Sequence, residues 1–170
     1  MFKPCKILVI GDIMLDTYIY GVASRLSQEA PIPVVVVDNK NISLGGASNV
    51  CANLKSLGAD VYVCGIVGQD EGGDAVIRYA QDIGIHAESV IRVNDNPTIV
   101  KTRVISNGQH VVRYDVEKRF EEMCQQSMIE CLSRIDVVFD AVIISDYDKG
   151  TISKLVIDFV KSFYRCPVFI

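Results

Sequence analysis

Asp12 and Asp16 stand four residues apart in the string GDIMLD, directly after the apolar run Lys6 to Ile10. Such a run reads as a buried central strand of a parallel sheet, and open α/β sheets bind their ligands beyond the carboxyl ends of those strands. Carboxylates at that place suit a polyol, because each accepts several O–H hydrogen bonds. A turn-forming Asp12 and a solvated Asp16 are the plainer alternative.

Three further groups point toward the same mouth. Gly45 and Gly46 precede a helical pattern, so backbone N–H groups can approach a ligand there, and the helix start favours negative charge. Asn49, in the first helical turn, can both donate to and accept from a sugar hydroxyl. Lys101 and Arg103 are two apart on a strand and share a face; with Arg25, and with no acidic partner at helical spacing, they are expected to clamp a phosphate. Asp146 and Lys149 lie in Ser145 to Gly150, a polar cluster after another apolar strand, where Asp148 or Thr151 would otherwise serve as a helix cap.

The elements that must position these residues follow from periodicity. A helix begins near Ala47 and stops at Gly58, a second buried strand spans Val61 to Val67, and a second helix spans Asp74 to Ile83 before Gly84. Ala87 to Val93 reads as a short strand. Ile99 to Ile105 and His110 to Asp115 flank an Asn-Gly step, the mark of a β-hairpin. Glu121 to Arg134 is helical, Val137 to Ser145 a strand, Ser153 to Ser162 a helix and Val168 to Ile170 the start of another strand. The stretch from Ile13 to Lys40 behaves differently: Pro31 and Pro33 exclude a helix, and Val34 to Val37 suggests a strand of a separate small sheet. Strands alternating with helices predict an α/β fold with a parallel sheet, helices on its faces and right-handed crossovers, the small sheet forming a lid.

Composition narrows the function. With 170 residues, 49% hydrophobic and 22% charged, the chain can build a core, and a net charge of -4 without a basic face argues against nucleic acid. The N-terminal apolar run is too brief for a signal or a membrane span, so a cytoplasmic location is expected. Six cysteines without a CxxC pair read as buried reduced thiols; His86 and His110 lie apart without acidic neighbours, and no metal site is expected.

The segment GGASNVCANLKSLGADVYVCGIVGQDEGG resembles the first signature of the ribokinase-like (PfkB) carbohydrate kinases, with Gly45, Gly46, Asn49, Leu57, Gly58, Gly65, Gly68, Asp70 and Gly72 in place. Within that family, GDIMLDTYIYG, SRLSQEAPIPVV, KTRVIS, QHVVRYDVE and SDYDKG are similar to the heptose 7-phosphate kinases. Gln28 departs from a usual proline, and Asp148 from a usual small residue.

The resemblance implies a ribokinase-like fold truncated on its C-terminal side. Residues 1–170 form the N-terminal part of the kinase domain, with lid segments at about 14–44 and 97–116. It implies a sugar-binding portion, inactive alone, because the catalytic aspartate, the anion hole and the adenine site belong to the family's C-terminal half. ATP and magnesium serve the full-length family, and neither is expected to bind well to these residues. The implied partner is heptose 7-phosphate, and a homodimer through the lid is a further family trait. A non-catalytic sugar-phosphate-binding module, and a family kinase for another sugar or nucleoside, are the alternatives.

Overall fold

A computed structural model describes residues 5–170. Along the chain lie β1 (Lys6–Gly11), β2 (Ile13–Leu26), β3 (Pro33–Gly46), α1 (Ala47–Ser56), β4 (Asp60–Gly68), α2 (Glu71–Asp82) and β5 (His86–Val93). There follow β6 (Ile99–Ser106), β7 (Gln109–Val116), α3 (Glu122–Ser133), β8 (Ala141–Ser145), α4 (Lys154–Phe163) and β9 (Val168–Phe169).

β1 is apolar on both sides because both sides are covered. Ile7 and Val9 enter one core with Ala47 and Cys51 of α1 and Val76 and Ala80 of α2. Leu8 and Ile10 enter the other with Met128 and Leu132 of α3 and Val156 and Val160 of α4. The period of two along a strand deals these residues out alternately, and each full burial contributes about 1.5–3 kcal/mol. The strands stand in the order β5-β4-β1-β8-β9, and every neighbouring pair is parallel. The expected α/β sheet flanked by helices is therefore present.

β2, β3, β6 and β7 form the second sheet, in the order β3-β2-β6-β7. β2 and β6 run parallel, while the outer pairs are antiparallel. Asn107 and Gly108 join β6 to β7 with φ of 51° and 76°, the left-handed pair that a two-residue hairpin turn demands. Asn96 donates from Nδ2 to the carbonyls of Lys118 and Arg119, so the approach to this hairpin is tied to its exit. Asp70, which caps α2 through Gly73 N–H, also accepts from Thr98 N–H at 2.8 Å and from the Thr98 hydroxyl. Partial burial pushes the Asp70 carboxyl up, but these hydrogen bonds outweigh it and hold the group below its ordinary value.

Several expectations need correction. The strand expected over Val137 to Ser145 is only Ala141–Ser145, because Asp140 turns the chain: it receives Lys6 N–H on its carboxylate and donates its own N–H to the Lys6 carbonyl. The cap of α4 is Ser153, whose hydroxyl accepts from Val156 N–H, rather than Asp148 or Thr151. His86 does have an acidic neighbour, Asp60, at 3.0 Å across adjacent strands. All six cysteines are free thiols, as expected, but only Cys51 and Cys64 are buried, the other four being partly exposed; burial pushes Cys51 up to about 12. No helix among the described residues is long and apolar enough to cross a membrane.

Candidate functional site

Asp12 separates β1 from β2 and is completely buried. Its Oδ2 accepts from the N–H groups of Tyr147 at 2.7 Å and Lys149 at 3.2 Å, while its backbone carbonyl accepts from Ala47 N–H at 2.9 Å. One carboxylate thus ties the loop after β8 to the end of β1, beside the start of α1. Oδ1 is buried without a partner. The Asp12 side chain has no exposed surface, and its Oδ2 supports the floor through the two loop N–H groups.

Asp16 is partly exposed at the point where the strand emerges. β2 leaves the core at this point: Ile13, Met14 and Leu15 are buried, and Asp16 is the first partly exposed residue. Asp16 Oδ2 points at Gly45, where an added Cβ would stand only 2.5 Å away, so the side-chain-free position gives the carboxylate its room. Gly46 has a φ of 55° and forms the turn into α1, whose start carries no side-chain cap. Asn49 is exposed in the first turn of that helix.

Two rows of side chains cross the lid in register. One runs Ser43, Asp16, Lys101, Asp115; the next runs Asn41, Tyr18, Arg103, Arg113. Rows two residues apart lie on one face of a sheet, so a hydroxyl acceptor and several cations share that face. Arg103 Nη1 lies 2.5 Å from Asp16 Oδ1, and its guanidinium sits over the Tyr18 ring, 5.2 Å from the centroid. Lys101 Nζ reaches Asp115 at 3.3 Å and Glu117 at 3.6 Å. Arg113 grips Asp115 through both carboxylate oxygens, at 2.9 and 2.7 Å. That grip first, with Lys101 after it, brings the Asp115 carboxyl down to about 2. Lys149 Nζ bonds Glu117 at 2.9 Å and holds its carboxyl below the ordinary range.

Both lid cations of the expected phosphate clamp therefore have carboxylate partners, which come from other strands and not at helical spacing. The third member is separated from them. Arg25 is exposed near the far end of β2, seven residues beyond the Tyr18 that faces Arg103, or about 23 Å along an extended strand. Asp146 is exposed, with one carboxylate oxygen accepting Asp148 N–H; Lys149 is the member of this loop that meets the lid. Tyr18, Arg113, Asp115 and Glu117 were not singled out by sequence reasoning. The alternation Asp16, Tyr18, Tyr20 against Arg113, Asp115, Glu117 is the signal that finds them.

A cavity of about 530 Å³ lined by Tyr62, Ser89, Cys131 and Arg134 lies elsewhere and shares no residue with this site.

The sequence profile described as pfkB family carbohydrate kinase matches residues 5–158. The chain belongs to this family. Among curated relatives, "Bifunctional protein HldE" of Shewanella amazonensis is 40% identical over 162 residues, which is 95% of this chain and 33% of that protein. The protein of the same name from Nitratiruptor sp. is 38% identical over 170 residues, 99% of this chain and 36% of that protein. The chain thus spans about a third of the length of these relatives. The solved structure of Arabidopsis thaliana ribokinase complexed with ribose and ATP superposes with a TM-score of 0.63 at 17% identity, over 98% of this chain and 53% of that one. A carbohydrate kinase from Agrobacterium tumefaciens gives 0.60 at 19% identity, over 82% and 45%. These two structures establish the ribokinase-like fold.

Proposed function

We propose that this chain is the sugar-binding portion of an ATP-dependent heptose 7-phosphate kinase, which phosphorylates the anomeric hydroxyl on the way to ADP-heptose and the lipopolysaccharide core. The observation that carries the reading is the single lid face on which Asp16 stands beside Lys101 and Arg103. Such a face takes a polyol and a phosphate together: the carboxylate accepts hydroxyls, and the cations hold the anion through charge-assisted bonds. Gly45 leaves the space in which Asp16 sits, and Asn49 at the open start of α1 adds an amide beside the same mouth.

ATP supplies the phosphoryl group and magnesium accompanies it in this proposal. Among the described residues no group of three His, Cys, Asp or Glu side chains converges to hold a metal ion, so these residues do not by themselves make a magnesium cradle. Their part is to bind and orient the sugar phosphate; on this reading the chain alone binds and does not turn over. A cytoplasmic setting follows from a nucleotide co-substrate. Val22, Val36, Val37, Val112, Tyr114 and Val116 leave apolar surface on the lid, which suits a homodimer through that sheet.

Titration calorimetry with D-glycero-D-manno-heptose 7-phosphate, the unphosphorylated heptose, ribose and a nucleoside tests the proposal. Heptose 7-phosphate is expected to bind tightest. Preference for ribose or the nucleoside would replace this reading by a kinase for that substrate. ATP-dependent turnover above a no-protein control would overturn the binding-only role.

A further inference from the structure

Arg103 is the cation of this face with the least committed partner. Lys101 and Lys149 sit on Asp115 and Glu117, and Arg113 is fixed to Asp115 at two points. Arg103 spends one N–H donor on one oxygen of Asp16, and among the described residues its other donors bond to nothing. Its guanidinium rests on the Tyr18 ring, a flat platform across which a planar cation slides without giving up its stacking. Asp16 is in the opposite position. Its Oδ2 lies against Gly45, and its Oδ1 already accepts from Arg103, so an incoming hydroxyl must share that oxygen with the guanidinium.

We propose a partner exchange that makes the phosphate a key to the sugar subsite. The phosphate of an incoming sugar phosphate draws the Arg103 guanidinium off Asp16, and the freed carboxylate then accepts the sugar hydroxyls. This deepens the sugar-phosphate reading above and rests on it. The exchange is favourable because a phosphate monoester carries about 1.5 to 2 negative charges near neutral pH and accepts a guanidinium through two parallel bonds. An unphosphorylated sugar brings nothing to draw Arg103 away, and competes with the guanidinium for Asp16 Oδ1. Selection for the phosphorylated substrate is thereby exerted at the hydroxyls as well as at the phosphate. Four cations, Lys101, Arg103, Arg113 and Lys149, face three carboxylates, Asp16, Asp115 and Glu117, so the face has charge to spare for an anion.

The test is calorimetry on this chain and on Asp16→Asn and Arg103→Ala, each with inorganic phosphate, unphosphorylated heptose and heptose 7-phosphate. Asp16→Asn releases the guanidinium, so inorganic phosphate should bind roughly 5-fold tighter or better, although heptose 7-phosphate binds more weakly. Arg103→Ala unblocks Asp16, so unphosphorylated heptose should bind roughly 3- to 10-fold tighter while heptose 7-phosphate loses at least about 10-fold. Arg103→Gln, which keeps the stem over Tyr18, serves the same purpose if the alanine variant does not melt cooperatively. Unchanged or weaker phosphate binding by Asp16→Asn overturns the exchange. So does weaker heptose binding by Arg103→Ala, which would mean that the guanidinium orients Asp16 instead of blocking it. Failure of the unaltered chain to bind either sugar would overturn the sugar-kinase reading, while the inorganic phosphate comparison still reads the exchange on its own.

Discussion

Gly45→Ala perturbs the site at one atom. The new Cβ would stand 2.5 Å from Asp16 Oδ2, 3.2 Å from its Cγ and 3.3 Å from Met14 Cβ. Carbon and oxygen at ordinary contact are about 3.3–3.6 Å apart, so the carboxylate must retreat by about 1 Å. Arg103 holds the other oxygen at 2.5 Å, and that charge-assisted bond opposes the retreat. Gly45 is not among the positive-φ residues, so the backbone admits alanine and the cost is overpacking, about 1–3 kcal/mol. A displacement of about 1 Å in a binding carboxylate weakens heptose 7-phosphate by up to about 100-fold. Urea unfolding and calorimetry measure the two effects. Asp16→Ala removes the atoms that clash, so the double variant should be more stable than additivity gives, by about 0.5–3 kcal/mol. The reasoning is refuted if Gly45→Ala unfolds and binds like the parent, or if its full cost persists in the Asp16→Ala background.

Asp12→Ala strands the N–H groups of Tyr147 and Lys149 in a buried place and should cost about 2–4 kcal/mol, read as a fall in the urea midpoint; an unchanged midpoint would remove the tie between β1 and the loop after β8. Asp70→Ala releases Thr98 from α2 and should cost about 1–3 kcal/mol, with faster amide exchange over residues 99–116 as its signature. Asp70 and Asp115 both have folded values below the ordinary carboxyl value. Their contribution is therefore fully present above about pH 4 and disappears as pH falls through the depressed values, about 2 for Asp115. Urea midpoints should therefore be nearly equal at pH 7 and 5 and lower at pH 2.5, and Asp115→Asn should flatten part of that fall.

The central sheet was readable because its rules are local. β1 shows a continuous apolar run, α1 and α2 end just before Gly58 and Gly84, and Asn107-Gly108 sits between two strand patterns. β2 was hidden as one continuous strand because only its first residues enter the core, so the rest shows neither a buried run nor strict alternation. The pairing of Arg103 with Asp16 was hidden for another reason: the partners are 87 residues apart, and only the register of β2 against β6 brings them together. The tie that Asp12 makes was hidden because its partners are backbone N–H groups 135 and 137 residues away, which side-chain types do not reveal. Asp148 adopts a φ of 58°, a left-handed conformation that aspartate tolerates better than most residues other than glycine.

β2 is a beam clamped at one end. Ile13 to Leu15 are embedded in the core, and 11 of its 14 residues project beyond that clamp. Asp16 stands about 10 Å from the embedded end and Leu26 about 43 Å, taking the rise of an extended strand. A tilt of about 10° about Ile13 would shift Asp16 by about 1.7 Å and Leu26 by about 7.5 Å. The tip can therefore sweep widely while Asp16 stays near its post, so the sheet's outer end moves far more than the row nearest the core.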